Sequence, residues 1–488
     1  LNKDPRDTVR AALAAFQAKD RDGAADLIRE LVRTRAPINT TWGPISRMAK
    51  SIGEANLAIA AARIHAANAP ADNSRRIELA ATLAAFGRTD EALQLAHDLV
   101  RAVPDDPMTH HFLGVTLSQI GQGNEALPHL RRAIALQPHL AESWLSVAAL
   151  KRFTADDPEY ARLRLTVERS PPTDAATRGA LLYALGKALD DIGDVDAAFA
   201  AYSQGAALIK TTQPADPTLG PTFRQEVTQG FNQAFLDRLE PSGLSSDRPI
   251  FVLGLPRSGT TLMEQIFVAH SAVKEGGEIG LFRHAAMAIS SFTPAIIREF
   301  VDKHPRPAGV WRRMGETYLH LLDERFGPQG RIVDKSLSAP RMLGVLAHVF
   351  PNARFIWMKR DVGAVAWSCF RTRFSNGQDW SWSLTDIANN FRLVDALHAH
   401  WTRLFPDRIL TVPYEELVAD PETWIPRALA HAGLQDEPQT RNFHEVKRVV
   451  VTASVAQVRR PLYKGSSEAW LRYAKHLQPF FDAYQRPV

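Results

Sequence analysis

The sequence predicts a chain in two parts: an N-terminal all-α repeat array and a C-terminal α/β domain built on a central parallel sheet. Three observations carry this. Self-similarity with a period of 34 residues runs through the first part. Residues 249–262, Pro-Ile-Phe-Val-Leu-Gly-Leu-Pro-Arg-Ser-Gly-Thr-Thr-Leu, read as a buried strand, a tight loop and the start of a helix. Residues 353–374 repeat that strand–loop–helix theme, as crossover connections in an α/β fold require.

The period is visible in Gly53, Gly87 and Gly121, in Ala24, Ala58, Ala92 and Ala126, and in Pro70, Pro104 and Pro138, each series 34 residues apart. Trp42 and Trp144 occupy the same position three periods apart. The pairs Leu79-Ala80, Leu113-Gly114 and Val147-Ala148 mark another shared position. Small residues let two helices approach, Gly permits the turn between them, and Pro ends the second helix. A 34-residue period of this kind is the tetratricopeptide pattern. It slips between Pro158 and Pro172 and resumes with Leu185-Gly186, Gly193, Ala198 and Tyr202. The expectation is about six repeats over residues 1–212, the first degenerate. Such a solenoid either docks a peptide, a protein or a second copy of the chain as a homodimer, or only packs against the C-terminal part.

Residues 213–248 read as a connection: a Pro/Thr/Gly-rich stretch, one amphipathic helix from Phe223 to Leu239, and a short polar linker. The catalytic part then spans 249–488. Further strands are expected at 331–333 and 409–412, and ligands of open α/β sheets collect beyond the carboxyl ends of strands. Arg257, Lys335, Arg360 and Tyr414 all stand just past such ends.

Bulk properties bound the function. Hydrophobic residues make up 45% and charged residues 23%, ordinary for a globular chain. A net charge of +5 suits an anionic ligand and is too small to argue for nucleic acid. The one cysteine, Cys369, allows no intrachain disulfide and fits a reducing compartment. No apolar run reaches membrane-spanning length and no leader pattern opens the chain. With the high alanine content, this predicts a bacterial-type cytoplasmic protein without a membrane span. The start at Leu1 rather than Met leaves a removed leader open.

The loop after the first strand carries the chemistry. Gly254 and Gly259 keep the spacing of the P-loop, but Thr260 stands where a P-loop has its phosphate lysine, which argues against ATP or GTP hydrolysis. A cation appears inside the loop instead, at Arg257. Residues 256–262, Pro-Arg-Ser-Gly-Thr-Thr-Leu, resemble the 5′-phosphosulfate loop of sulfotransferases that use 3′-phosphoadenosine 5′-phosphosulfate (PAPS). Arg360 and Ser368, eight apart, match the pair that binds the 3′-phosphate in that family.

On these residues the chain resembles a tetratricopeptide-repeat sulfotransferase, with a P-loop-like catalytic domain most similar to the tyrosylprotein sulfotransferases. The resemblance covers the C-terminal half. It implies PAPS as sulfuryl donor, no metal, and the following site. Pro256, Arg257, Ser258, Gly259, Thr260 and Thr261 would hold the 5′ end. Arg360 and Ser368 would hold the 3′-phosphate, with Tyr414 of the Tyr-Glu-x-Leu-Val segment near the nucleotide. Ser454, Gln457 and Arg460, in the segment before Trp470, would complete the donor site. Glu278 falls on the family's base position, Lys335 on its transition-state lysine and Ser454 on its stabilising serine. Arg257, Lys335 and Ser454 would then oppose charge growing on the bridging oxygen, each worth about 3–4 kcal/mol.

Two departures stand out. Ala469 replaces the family's lysine before the tryptophan, and the third 3′-phosphate cation is out of step, with Thr372 between Arg371 and Arg373. Arg459, Arg460, Lys464 or Arg472 are candidates to replace the charge. Glu275 also competes with Glu278. The two are three residues apart, either reads as a helix N-terminal carboxylate, and general-base logic does not separate them. His398 and His400 lie at i and i+2, which do not face each other on a helix, so they predict no zinc site.

The acceptor implied by the resemblance is a tyrosine hydroxyl of a peptide or protein recruited by the repeats. A glycan, a lipid-linked sugar or a small phenol would suit the same reaction. A repeat adaptor with an inactive nucleotide site is the remaining class.

Overall fold

The computed structural model describes residues 4–171, 173–214, 219–304, 308–374, 377–445 and 468–486. Its contacts divide the chain into two compact units. The first holds residues 1–104, 230–250 and 272–353; the second holds 105–229, 251–271 and 354–488. Each unit therefore combines helix pairs of the N-terminal array with part of the α/β half.

In the first unit the pairs are Pro5–Gln17 with Arg21–Thr34, Trp42–Ser51 with Ala55–Ala67, and Asn73–Ala85 with Thr89–Ala102. In the second they are Pro107–Gln119 with Gly123–Leu136, Ala141–Leu150 with Pro158–Arg169, and Ala175–Ile192 with Val195–Thr212. The periodic glycines do what the spacing predicts: Gly53, Gly87, Gly121 and Gly193 have φ of 83°, 78°, 88° and 94°. The small residues also sit where backbones meet. A Cβ on Gly114 would come within 2.7 Å of Leu130, and one on Gly186 within 2.9 Å of the Tyr202 ring. The periodic aspartates were a missed signal. Asp72 and Asp106, one period apart, cap their helices by accepting from the backbone N–H of Ser74 and Met108.

The connecting helix differs from expectation. Instead of one helix over 223–239 there are two, Leu219–Gly230 and Gln233–Leu236. Asn232 is extended between them, and its side chain accepts from the Phe235 N–H at 2.9 Å. The break lets Phe231 bury fully within the first unit, where it lies against Gly344 and at 4.9 Å from the Phe235 ring.

The strands are β1 (Pro249–Gly254), β2 (Val273–Gly277), β3 (Arg331–Asp334), β4 (Phe355–Lys359) and β5 (Ile409–Pro413). In the second unit β4 pairs in parallel with β1 on one side and β5 on the other. The register sets Gly254 opposite Met358 and Lys359 opposite Pro413, so their chain ends finish side by side. Every residue of β1 is buried, as its uninterrupted apolar run requires. In the first unit β2 pairs in parallel with β3, with an irregularity between Val273 and Glu275. β2 is not legible in the sequence. Val-Lys-Glu-Gly-Gly has one buried apolar residue and two glycines, and backbone pairing makes it a strand.

Candidate active site

The loop after β1 is shaped by its backbone. Gly254 has φ 143°, and a Cβ there would lie 2.7 Å from Ser258 Oγ and 2.8 Å from the Met358 carbonyl oxygen. Ser258 N–H donates to the Leu255 carbonyl at 3.2 Å, closing a turn with Pro256 second and Arg257 third. Arg257 has φ 68°, the left-handed region that the third position of a type II turn requires and glycine normally fills. Keeping an arginine there costs about 1–3 kcal/mol, and such strain clusters at functional sites. Gly259 follows with φ 102° and starts the helix Thr260–Val268. A Cβ on Gly259 would meet Tyr414 Cδ2 at 2.5 Å. No side chain caps this helix and no acidic residue stands in its first turn, so its N–H groups and dipole suit an anion.

The second strand–loop–helix brings the other residues to the same loop. The helix after β4 is Val362–Phe370, ending short of residue 374, where the repeated strand–loop–helix reading ends; Thr372 Oγ1 folds back to the Ser368 carbonyl at 2.7 Å as it ends. Asp361 caps its start by accepting from Ala364 N–H at 2.8 Å. Arg257 Nε donates to Ser368 Oγ at 2.7 Å, across 111 residues of sequence. Arg360 Nη1 donates to the Arg257 carbonyl at 3.2 Å, and the Arg360 guanidinium lies 4.3 Å from the centre of the Tyr414 ring. Arg257, Ser258, Gly259, Arg360, Ser368 and Tyr414 thus form one cluster within the second unit. Cys369 is fully buried beside it; Sγ lies 3.5 Å from the Pro256 carbonyl and burial pushes its thiol up to about 12. It packs rather than reacts.

The first unit holds an ion pair, Lys335 with Glu278. Lys335 N–H donates to the Gly277 carbonyl at 2.9 Å, which aligns the residues following β2 and β3. Lys335 is 1% exposed, and its Nζ meets Glu278 Oε1 at 2.9 Å. Beneath it Asp334 is fully buried. It accepts from Tyr318 OH at 2.9 Å and from Ser336 N–H at 3.0 Å, and burial raises its carboxyl above the ordinary range. Ser336 Oγ in turn accepts from Gly280 N–H at 2.8 Å, fixing the turn after Glu278. Glu275 is in β2 itself and interacts electrostatically with Arg325. Neither carboxylate is a helix N-terminal residue: the next helix begins at Leu281. It is Glu278 that meets the buried lysine.

Of the candidate replacement cations only Arg472 is among the described residues, and it is paired, as are Arg371 and Arg373 on either side of Thr372. Arg371 pairs with Asp190 at 3.4 Å, Arg472 with the same carboxylate, and Arg373 with Glu142 at 3.0 Å. Ser454, Gln457, Arg459, Arg460 and Lys464 lie outside the described residues. His398 Nε2 is 2.8 Å from Thr411 Oγ1 while His400 is buried, so the two do not converge. Glu54, His320 and Glu324 bring three metal-competent atoms within 4.8 Å of one another. Arg21 pairs with Glu54 Oε1 at 2.6 Å and Asn56 donates to Glu324 Oε1 at 3.0 Å, so one oxygen of each carboxylate already has a partner.

Residues 249–438 match the model of the sulfotransferase family. The C-terminal region is a sulfotransferase domain. Among its relatives is a protein-tyrosine sulfotransferase of Drosophila melanogaster, 27% identical over 186 residues, which are 37% of either chain. An uncharacterized protein of Aquifex aeolicus is 30% identical over 414 residues, 80% of this chain and 52% of that one. The chain thus spans about half the length, or less, of these two relatives. Among solved structures it is similar to the sulfotransferase domain of the Synechococcus PCC 7002 olefin synthase, with 20% identity and a TM-score of 0.34, covering 51% of this chain and all of that one. The sulfotransferase domain matched here holds Arg257, Glu278, Lys335, Arg360, Ser368 and Tyr414. No helix among the described residues is long and apolar enough to cross a membrane.

Proposed function

We propose that the chain moves a sulfuryl group from PAPS to an acceptor hydroxyl, the phenol of a tyrosine in a peptide or protein. The observation that carries this reading is the strained Arg257. It is held at positive φ with Nε on Ser368 Oγ and with Arg360 on its carbonyl. A phosphosulfate loop and a 3′-phosphate pair are two separate sequence matches, and they meet in one cluster. The glycine cradle supports it as well: at Gly254 and Gly259 no side chain fits, which suits close backbone approach to a phosphate.

PAPS supplies the activated sulfuryl group. The protein's part is binding, orientation and charge. Arg360 and Ser368 bind the 3′-phosphate. The loop N–H groups from Ser258 to Thr261 and the Arg257 guanidinium bind the 5′ end. Lys335 and Ser454 stabilise charge on the leaving oxygen, with Gln457 and Arg460 completing the donor site. Glu278 takes the acceptor's proton. A phenol with pKa near 10 gives that proton up only as the new bond forms. The buried Lys335 ammonium, 2.9 Å from its Oε1, orients Glu278.

The test is incubation of the full chain with PAPS and an acidic tyrosine peptide, read by mass spectrometry. A sulfated tyrosine is expected. Salt should weaken peptide binding, because the basic residues Arg459, Arg460 and Lys464 would attract an acidic acceptor. Turnover on a neutral glycan or small phenol with no tyrosine product would contradict the acceptor. Absence of donor turnover on any hydroxyl would contradict the reaction.

A further inference from the structure

The helix carrying Ser368 is held from outside the α/β half. In the second unit, Trp367, Phe370 and Arg371 each contact the last helix pair of the array, Ala175–Ile192 with Val195–Thr212. Trp367 packs edge-on to Tyr202 at 5.7 Å between ring centres and stacks on Tyr473 at 3.7 Å. The Phe370 carbonyl accepts from Tyr183 OH at 3.1 Å, and its ring stacks on Phe199 at 5.6 Å. Arg371, three residues past Ser368 and so on the same helical side, reaches Asp190 Oδ2 at 3.4 Å.

Asp190 is the centre of this contact. It is 9% exposed, and its other oxygen, Oδ1, accepts from Arg472 Nη2 and Tyr473 OH. Tyr473 is fully buried, and burial with the Asp190 charge raises its phenol far above the ordinary value, so it stays a donor. One carboxylate from a repeat helix therefore joins the end of the Ser368 helix to the segment after Trp470. A Cβ on Gly363, at the start of that same helix, would meet the Trp470 ring at 2.7 Å, so its other end is fixed too.

We infer that Asp190 is a positioning residue for the 3′-phosphate site: by holding Arg371, Arg472 and Tyr473 it sets where Ser368 Oγ stands. The last helix pair is then a wall of the donor site rather than a recruitment module. This rests on the PAPS reading above. A hydrogen bond to a charged group is strong only when its geometry is kept, and a single carboxylate that fixes three donors is the least redundant point of the wall.

The experiment is calorimetric titration of the full chain with 3′,5′-ADP and with 5′-AMP, for wild type, Asp190→Asn and Asp190→Glu, beside their melting temperatures. Asp190→Asn should weaken 3′,5′-ADP about tenfold, the worth of one charged hydrogen bond lost, while 5′-AMP binding holds. Asp190→Glu, which keeps the charge, should recover part of the loss. An equal loss for both nucleotides would reduce Asp190 to a fold-holding role and overturn the inference. So would a lowered melting temperature with selectivity intact. Wild type that does not prefer 3′,5′-ADP would instead overturn the donor reading, and this inference with it.

Discussion

The loop after β1 and the turn after β2 place functional groups by different means. The first is a backbone device. Gly254 and Gly259 stand where a Cβ would collide, Arg257 is held at φ 68°, and Arg360 binds the loop's own carbonyl. The second is a side-chain device. Lys335 is buried, and one contact at 2.9 Å to a half-exposed Glu278 sets the pair. A main-chain device tolerates no change of shape but survives loss of many side chains. A side-chain device tolerates shape changes but depends on a single charge.

The largest test of that difference is Glu278→Gln against Glu275→Gln. Glu278→Gln should cut turnover by about 10²–10⁴, the usual worth of a general base, and leave 3′,5′-ADP binding unchanged. Glu275→Gln should stay within a few-fold of wild type. Steady-state kinetics of the two variants decides it, and the reverse pattern would move the base into β2.

Gly259→Ala should break the loop itself. The variant combines a positive φ with a Cβ 2.5 Å from Tyr414, so it should lose nucleotide binding and about 1–3 kcal/mol of stability in denaturant titration. Wild-type affinity would mean that the loop is not built from its backbone.

A smaller effect separates strain from function at Arg257. Both Arg257→Gly and Arg257→Ala remove the guanidinium, but only glycine relaxes at φ 68°. The glycine variant should be more stable by about 1 kcal/mol, with both equally impaired in donor binding. Equal stabilities would remove the strain argument.

The smallest is a pH effect at a residue that belongs to neither device. Burial, with help from Lys359, holds His398 at about 4, below its ordinary 6.5. The folded state prefers this imidazole neutral. Its contribution is complete above about pH 6.5 and is lost as pH falls towards about 4. His398→Gln, which keeps a partner for Thr411, should flatten the fall of the melting temperature over that range. An unchanged profile would assign the slope to other groups, such as His348 and His431, which burial also lowers.

What was legible in the sequence follows the same division. Glycines at left-handed positions and apolar runs at strand length act locally, so the turns at Gly53, Gly87 and Gly121 and the strands β1, β4 and β5 could be read directly. The loop cluster was legible because Arg257 and Ser368, 111 residues apart, each sit in a recognisable local context. β2 was not, because Val-Lys-Glu-Gly-Gly has no strand propensity of its own and takes its form from β3. Only the family resemblance favoured Glu278 over Glu275, and the residues themselves did not separate the two, for the same reason: which one meets Lys335 is set by where β2 ends. The break at Asn232 was readable in principle from its capping side chain, but the phenylalanine spacing in that segment outweighed it. Asp190 gave no signal at all, since an aspartate inside a helix declares nothing about partners 181 and 282 residues away.

The central claim is that the cluster around Arg257, Arg360 and Ser368 recognises a 3′-phosphorylated nucleotide. Calorimetry of 3′,5′-ADP against 5′-AMP with wild type and Arg360→Ala tests it most directly. The account predicts a strong preference for 3′,5′-ADP in wild type that collapses in the variant. Equal or absent binding of the two nucleotides by wild type would contradict it.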